Sequence, residues 1–118
     1  MCAQDVAIEE EVQGEGCVLT LREPLVIETS PELRKALMRL ARQKVAAVVV
    51  NLEGAGRVDT SGLATLFECG QAIGRYGGKL LVVGLDAQSA DTFALAQLKG
   101  AFLTFDTQAG ALASLKRL

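Results

Sequence analysis

The chain has no histidine, no tryptophan, one tyrosine, two prolines and three cysteines among its 118 residues. Without histidine, the usual base that activates a serine or cysteine nucleophile is missing, and so is a common nitrogen ligand for zinc. Three cysteines, Cys2, Cys17 and Cys69, cannot all pair with one another, and none stands in a C-x-x-C spacing. They are expected as reduced thiols, with Cys17 in a strand and Cys69 in a helix as small apolar fillers. No apolar run approaches the roughly 20 residues of a membrane-spanning helix. The start, MCAQDVAIEEEV, is acidic where a secretory signal would be basic and then apolar, so a cytoplasmic protein without membrane insertion is expected. Charge is nearly balanced, 12 Lys and Arg against 14 Asp and Glu. The basic residues look scattered, so nucleic acid is not an expected partner.

What is present is apolar and periodic. Half of the residues are hydrophobic, enough for one core, and no linker, repeat or low-complexity tract divides the chain, so residues 1–118 are expected as one domain. VAIEEEVQ and CVLTLRE alternate like two strands joined at Gly14 to Gly16. In that hairpin the acidic run Glu9 to Glu11 reads as edge charge that discourages aggregation. TSPELRKALMRLARQ then places Ser30 at a helix cap, Pro31 at the first helical position, and Leu33, Ala36, Leu37 and Leu40 at helical spacing. VAAVVVNL, Val45 to Leu52, is apolar on both alternating faces and suits a strand covered on both sides.

The pattern continues through GAGR, where Gly54 and Gly56 let the chain turn, into a helix with Leu63, Leu66, Phe67, Gly70 and Ile73 on one stripe. Gly77 and Gly78 stop that helix. KLLVVGL is a further strand and SADTFALAQL a helix with Phe93 and Leu98 inward. AFLTF is a short last strand, and TQAGALASLKRL a closing helix. Alternating strands and helices imply an α/β domain with right-handed crossovers: a mixed, mostly parallel sheet, an N-terminal hairpin and about four helices.

The chemistry concentrates in VDTSGL, Val58 to Leu63, where a strand gives way to a helix. In such sheets, function usually sits in loops at the carboxyl ends of strands. Ser61 is not in a G-x-S-x-G elbow, and the nearest lysines, Lys44 and Lys79, belong to other elements, so catalysis by Ser61 is not expected. GAGRVDTSG has neither dinucleotide nor phosphate-loop spacing, and Asp59 has no metal partner at ligand spacing. No cofactor and no metal are expected. Two uses remain, and one residue could serve both. A hydroxyl or carboxylate here can cap the helix, and a hydroxyl can carry phosphate at the positive helix end.

VVVNLEGAGRVDTSGLATL, then GGKLLVVGL, then FALAQLKGAFLTFDTQAGAL resembles the STAS domain of bacterial anti-sigma factor antagonists, most closely from Val45 to Leu85. The resemblance implies a STAS-like fold, with Ser61 as phosphate acceptor (Thr60 as the alternative) in an Asp-Ser-Ser-Gly-like motif that begins at Asp59. It implies partner switching: the unphosphorylated protein binds an anti-sigma factor, often an ATP-dependent serine kinase, and so frees a sigma factor. Phosphorylation blocks that binding and a serine phosphatase restores it. Asp59, Thr60, Ser61 and Gly62 would form the partner surface with Ala64, Thr65 and Glu68 on the outward helix face, beside Ala72. The chain would be a switch rather than an enzyme. In place of the family's G-x-L-D-like segment the sequence has REPLVIET, with Glu23 and Val26 at the corresponding places. The resemblance also admits another role, as a small STAS subunit of a phospholipid-transporting ABC system.

Overall fold

Ala47–Asn51 of the expected central run becomes strand β3 and is buried along its whole length, which its lack of a polar face requires. It lies in the middle of a five-stranded sheet in a computed structural model that describes residues 8–13, 16–84 and 102–115. The other strands are β1 (Ile8–Gln13), β2 (Gly16–Leu21), β4 (Lys79–Val83) and β5 (Leu103–Phe105), in the spatial order β1-β2-β3-β4-β5. β1 runs antiparallel to β2 with Gln13 opposite Gly16, and every other pairing is parallel. The hairpin and the mixed, mostly parallel sheet are therefore as the sequence implies. The hairpin's turn, residues 14–15, lies outside the described residues.

Side chains alternate across the sheet and divide the core in two. Cys17, Leu19 and Leu21 of β2, Val48 and Val50 of β3, and Leu80 and Val82 of β4 meet helices α1 (Ser30–Arg42) and α2 (Thr60–Arg75). Val18, Val49, Leu81 and Val83 face the other way, onto Ala111 of helix α3 (Gln108–Leu115). The described residues thus contain three helices; SADTFALAQL, with Phe93 and Leu98, lies outside them. No helix among the described residues is long and apolar enough to cross a membrane.

The helix boundaries follow local chemistry. Thr29, one residue before the expected Ser30, occupies the α1 cap, and Pro31 falls in the first turn, where its missing N–H has no helical partner to lose. At the end of α2, Gly77 adopts φ 90° and its N–H reaches the carbonyl of Gly74, while the N–H of Gly78 reaches that of Ile73. Two orphan carbonyls are thereby satisfied, the usual reason for glycine just past a helix end. Asn51 carries a buried amide, whose cost is met by hydrogen bonds from its Nδ2 to Gln108 (2.7 Å) and from the N–H of Glu53 to its Oδ1 (2.9 Å).

The acidic run of β1 is an edge feature, as the sequence suggests, but two of its members are engaged. Glu9 takes two hydrogen bonds from the Arg22 guanidinium, at 3.0 and 3.1 Å, and Glu10 pairs with Arg39 of α1. Arg22 holds the Glu9 carboxyl below the usual carboxylate range.

Cys17 and Cys69 are free and buried in the larger core cluster. Burial pushes the Cys69 thiol up to about 12 and that of Cys17 upward as well. The thiolate is the reactive form, so both should be inert in the native state. In a Cys2→Ser background, a thiol reagent at neutral pH is expected to label neither residue until the protein is unfolded, when both react. Prompt labelling of the native chain would contradict this packing.

Candidate functional site

The VDTSGL seam begins where β3 leaves the sheet. Gly56 turns the chain with φ 85°, and residues 57–59 then run beside the segment that leads into α1. The N–H of Leu25 reaches the carbonyl of Arg57 at 2.8 Å, and the N–H of Asp59 reaches the carbonyl of Leu25 at 3.0 Å. Leu25 and Val58 thus form a parallel bridge, and the Leu25 side chain is fully buried. The chain from Pro24 to Thr29 is a strap laid across the entrance of α2.

Asp59 locks the strap to the helix. Its extended backbone places it at the α2 cap, where Oδ1 accepts from the N–H of Gly62 at 3.1 Å. Oδ2 accepts from the N–H of Ile27 at 3.2 Å, on the strap. One carboxylate therefore satisfies an orphan donor of the first helical turn and a donor 32 residues away in sequence. Thr29 completes the strap from its other end: its hydroxyl accepts from the N–H of Val26 at 2.9 Å and donates to the carbonyl of Pro24 at 2.7 Å. Thr29 is the residue that sequence patterning passes over, because its cap position is filled without any side-chain capping bond.

Gly62 is required by closeness. A Cβ there would stand 2.7 Å from both the Leu25 carbonyl oxygen and Leu25 Cγ, so α2 can rest on the strap only where it has no side chain. Gly54, by contrast, has no positive φ, and an added Cβ would meet only ordinary contacts.

With the cap supplied by Asp59, the two hydroxyls are left over. Thr60 is exposed as the first helical residue and Ser61 half-buried as the second, and neither side chain has a hydrogen-bond partner among the described residues. Cap and candidate acceptor, which the sequence allows to be one residue, are separate here. The Ser61 hydroxyl stands beside the positive end of a 16-residue helix, where added negative charge is favoured.

The outward face of α2 departs from the expectation at Thr65, and in part at Ala72, which is half-buried. Ala64 and Glu68 are exposed, but Thr65 is buried at 8 % exposure and is not on the outer surface. The helix packs against α1 as well as the sheet, so its covered face is wider than the single apolar stripe. Thr65, Glu68 and Ala72 share one flank at helical spacing, and Glu68 meets Arg34 of α1 there at 2.7 and 3.1 Å. Hydrogen bonding to Arg34 holds the Glu68 carboxyl below its ordinary range and the guanidinium above its own. The pair is therefore complete at neutral pH and dissolves only as pH falls through the lowered carboxylate pKa. Leu63, Leu66, Phe67, Gly70 and Ile73 pack inward as the periodicity implies, three of them fully and Leu63 and Phe67 in part.

Strap, cap and the two hydroxyls lie at the surface, with Thr60 exposed and Ser61 half-buried. Ile27 stands beside them, 62 % exposed. Comparison with known proteins agrees on the fold. A family model described as the STAS domain matches residues 7–111. Among solved structures, an anti-sigma factor antagonist from Mycobacterium paratuberculosis superposes with a TM-score of 0.80 at 19% identity, covering 98% of this chain and 97% of that one. The anti-sigma factor antagonist SpoIIAA in its unphosphorylated form gives 0.76 at 17% identity, covering 94% and 98%. The phosphorylated form of SpoIIAA, from Bacillus, gives 0.74 at 17% identity, covering 92% and 99%. No curated protein sequence matches the chain.

Proposed function

The chain belongs to the STAS domain family, and from that premise we propose that it is an anti-sigma factor antagonist acting in the cytoplasm as a phosphorylation-controlled switch. Unphosphorylated, it binds an anti-sigma factor that is also an ATP-dependent serine kinase, and the sigma factor is released. The kinase phosphorylates Ser61, and a serine phosphatase reverses the step. The chain itself catalyses nothing in this scheme.

The single observation that carries the proposal is the Ser61 hydroxyl, which has no hydrogen-bond partner among the described residues at the second position of α2 while Asp59 does the capping. A phosphate there adds about -1.5 to -2 charges without removing any bond that holds the fold. A partner seated on the helix start would have to desolvate that dianion, at a cost of several kcal/mol per ion unless a cation met it. The likeness to SpoIIAA, a protein with both unphosphorylated and phosphorylated forms, supports the same scheme.

The test uses the anti-sigma factor kinase that this scheme requires. Incubation with ATP is expected to place one phosphate on Ser61, and Ser61→Asp should weaken partner binding at least about tenfold, some 1.4 kcal/mol, with an unchanged melting temperature. Phosphate on Thr60 alone would move the acceptor by one residue. The proposal would be falsified if Ser61→Ala left both phosphorylation and affinity unchanged. Stable co-purification with a transporter ATPase regardless of phosphorylation would replace it with the ABC-subunit role.

A further inference from the structure

The basic residues that look scattered in sequence converge at the end of the sheet opposite Ser61. The chain leaves α1 through Arg42, Gln43, Lys44, Val45 and Ala46 to enter β3, and leaves α2 through Arg75, Tyr76, Gly77 and Gly78 to enter β4 at Lys79. These two turns are stitched together. The Tyr76 hydroxyl donates to the carbonyl of Val45 at 2.7 Å, the N–H of Lys79 donates to the carbonyl of Ala46 at 2.9 Å, and Ala47 lies opposite Lys79 in the sheet register. Neither turn contains an acid. Arg42, Lys44, Arg75 and Lys79 are all exposed, and none has an ion-pair partner among the described residues. Arg22, Arg34 and Arg39, in contrast, are each held by a glutamate.

Part of this charge has a local role, since Arg42 and Arg75 sit in the last turns of their helices, where a cation offsets the negative helix end. Lys44 and Lys79 lie beyond the helices and double the charge of the pole. Lys44 even holds a left-handed backbone, φ 56°, at which a small polar residue or glycine would be less strained.

We propose that this pole is an adsorption surface for an anionic lipid membrane, one that holds the protein at the surface without insertion. The make-up of the patch selects that partner. Stable protein interfaces are organised around a buried aromatic or apolar anchor, and within these two turns the side chains that could supply one, Val45 and Tyr76, are half-buried, with the Tyr76 hydroxyl tied to the backbone. Nucleic-acid sites add stacking aromatics or a helix start aimed at phosphates, whereas this pole presents two helix ends. A field of anionic headgroups needs neither, only several cations presented together. The pole lies at the amino-terminal ends of β3 and β4 and the Ser61 site beyond the carboxyl end of β3, so an adsorbed molecule would keep that site turned toward soluble partners. The inference does not depend on Ser61 being modified.

The full chain should co-sediment with phosphatidylcholine vesicles containing about one-third phosphatidylserine, the range in which each surface cation contributes roughly fivefold to partitioning. It should not co-sediment with pure phosphatidylcholine, and binding should fall as salt is raised. Lys44→Asn with Lys79→Gln is expected to reduce partitioning about 25-fold, while Lys35→Gln, which removes one charge on the exposed side of α1 away from the pole, leaves it unchanged. The proposal is overturned by absence of binding to the anionic vesicles, by an equal loss in Lys35→Gln, or by binding to poly-glutamate without binding to vesicles, which would assign the pole to an acidic protein. Circular dichroism of each variant shows that a loss is not a loss of folding.

Discussion

Gly62→Ala is expected to destabilise the protein by about 3 kcal/mol, the upper part of the range for overpacking a tightly fitted interior. The added methyl would stand 2.7 Å from the Leu25 carbonyl oxygen and 2.7 Å from Leu25 Cγ. Of the two, the oxygen decides the size of the effect. A leucine side chain can change rotamer, but this carbonyl is held because it accepts the N–H of Asp59 at 3.0 Å, and the N–H of the same residue is bonded to Arg57. Relief therefore requires α2 to lift from the strap, which would stretch both bonds of the Asp59 carboxylate. Alanine's better helix propensity, worth at most about 1 kcal/mol over glycine, opposes the change without cancelling it. Thermal unfolding should show a fall of about 10 °C for a domain of this size. Shortening the neighbour in a Leu25→Ala, Gly62→Ala double variant should not restore stability, because the backbone oxygen stays where it is. Full rescue would show that the clash lies with the side chain alone.

The same geometry explains how far the sequence could be read. β3, the apolar stripe of α2 and the alternation of β2 were legible because each is a local pattern imposed by burial on one or two faces, and Val48, Val50, Leu66 and Ile73 all reach the core. VDTSGL was legible as a helix start for a similar reason: acid, hydroxyls and glycine at the end of a strand are a local signal. Its division of labour was not. Nothing local says that Asp59 rather than Ser61 makes the capping bond, because the carboxylate's second partner, Ile27, is far away in sequence. Thr65 lies outside the one apolar stripe that local periodicity shows, while the second covered flank of α2 arises from its packing against α1. The basic pole depends on which turns lie side by side, and pairing in a sheet is a tertiary fact. REPLVIET, notable from sequence mainly for what it lacks, proves to be the strap on which the site rests.

Removing the brace itself should cost as much as crowding it. Asp59→Ala abolishes the helix cap, usually worth 0.5–2 kcal/mol, together with a second hydrogen bond to an ionised acceptor, so a total loss of about 3 kcal/mol is expected. Asp59→Asn separates the two functions. Its single carbonyl oxygen can still accept from Gly62, but its amide nitrogen cannot accept from Ile27, so the loss should fall to about 1 kcal/mol and be confined to the strap. Hydrogen exchange supplies the site-specific measurement. The Ile27 amide should exchange faster in both variants, that of Gly62 should be released only in Asp59→Ala, and the amides of β3 should change only as far as global stability does. If Asp59→Asn leaves the Ile27 amide as protected as in the wild type, the carboxylate does not hold the strap. The pair also bears on partner binding, since Asn keeps Ser61 on an intact helix start. A loss of affinity in Asp59→Asn that follows the loosening of Ile27 would place the strap, with its exposed isoleucine, inside the docking surface. Undiminished affinity would confine that surface to the first turn of α2.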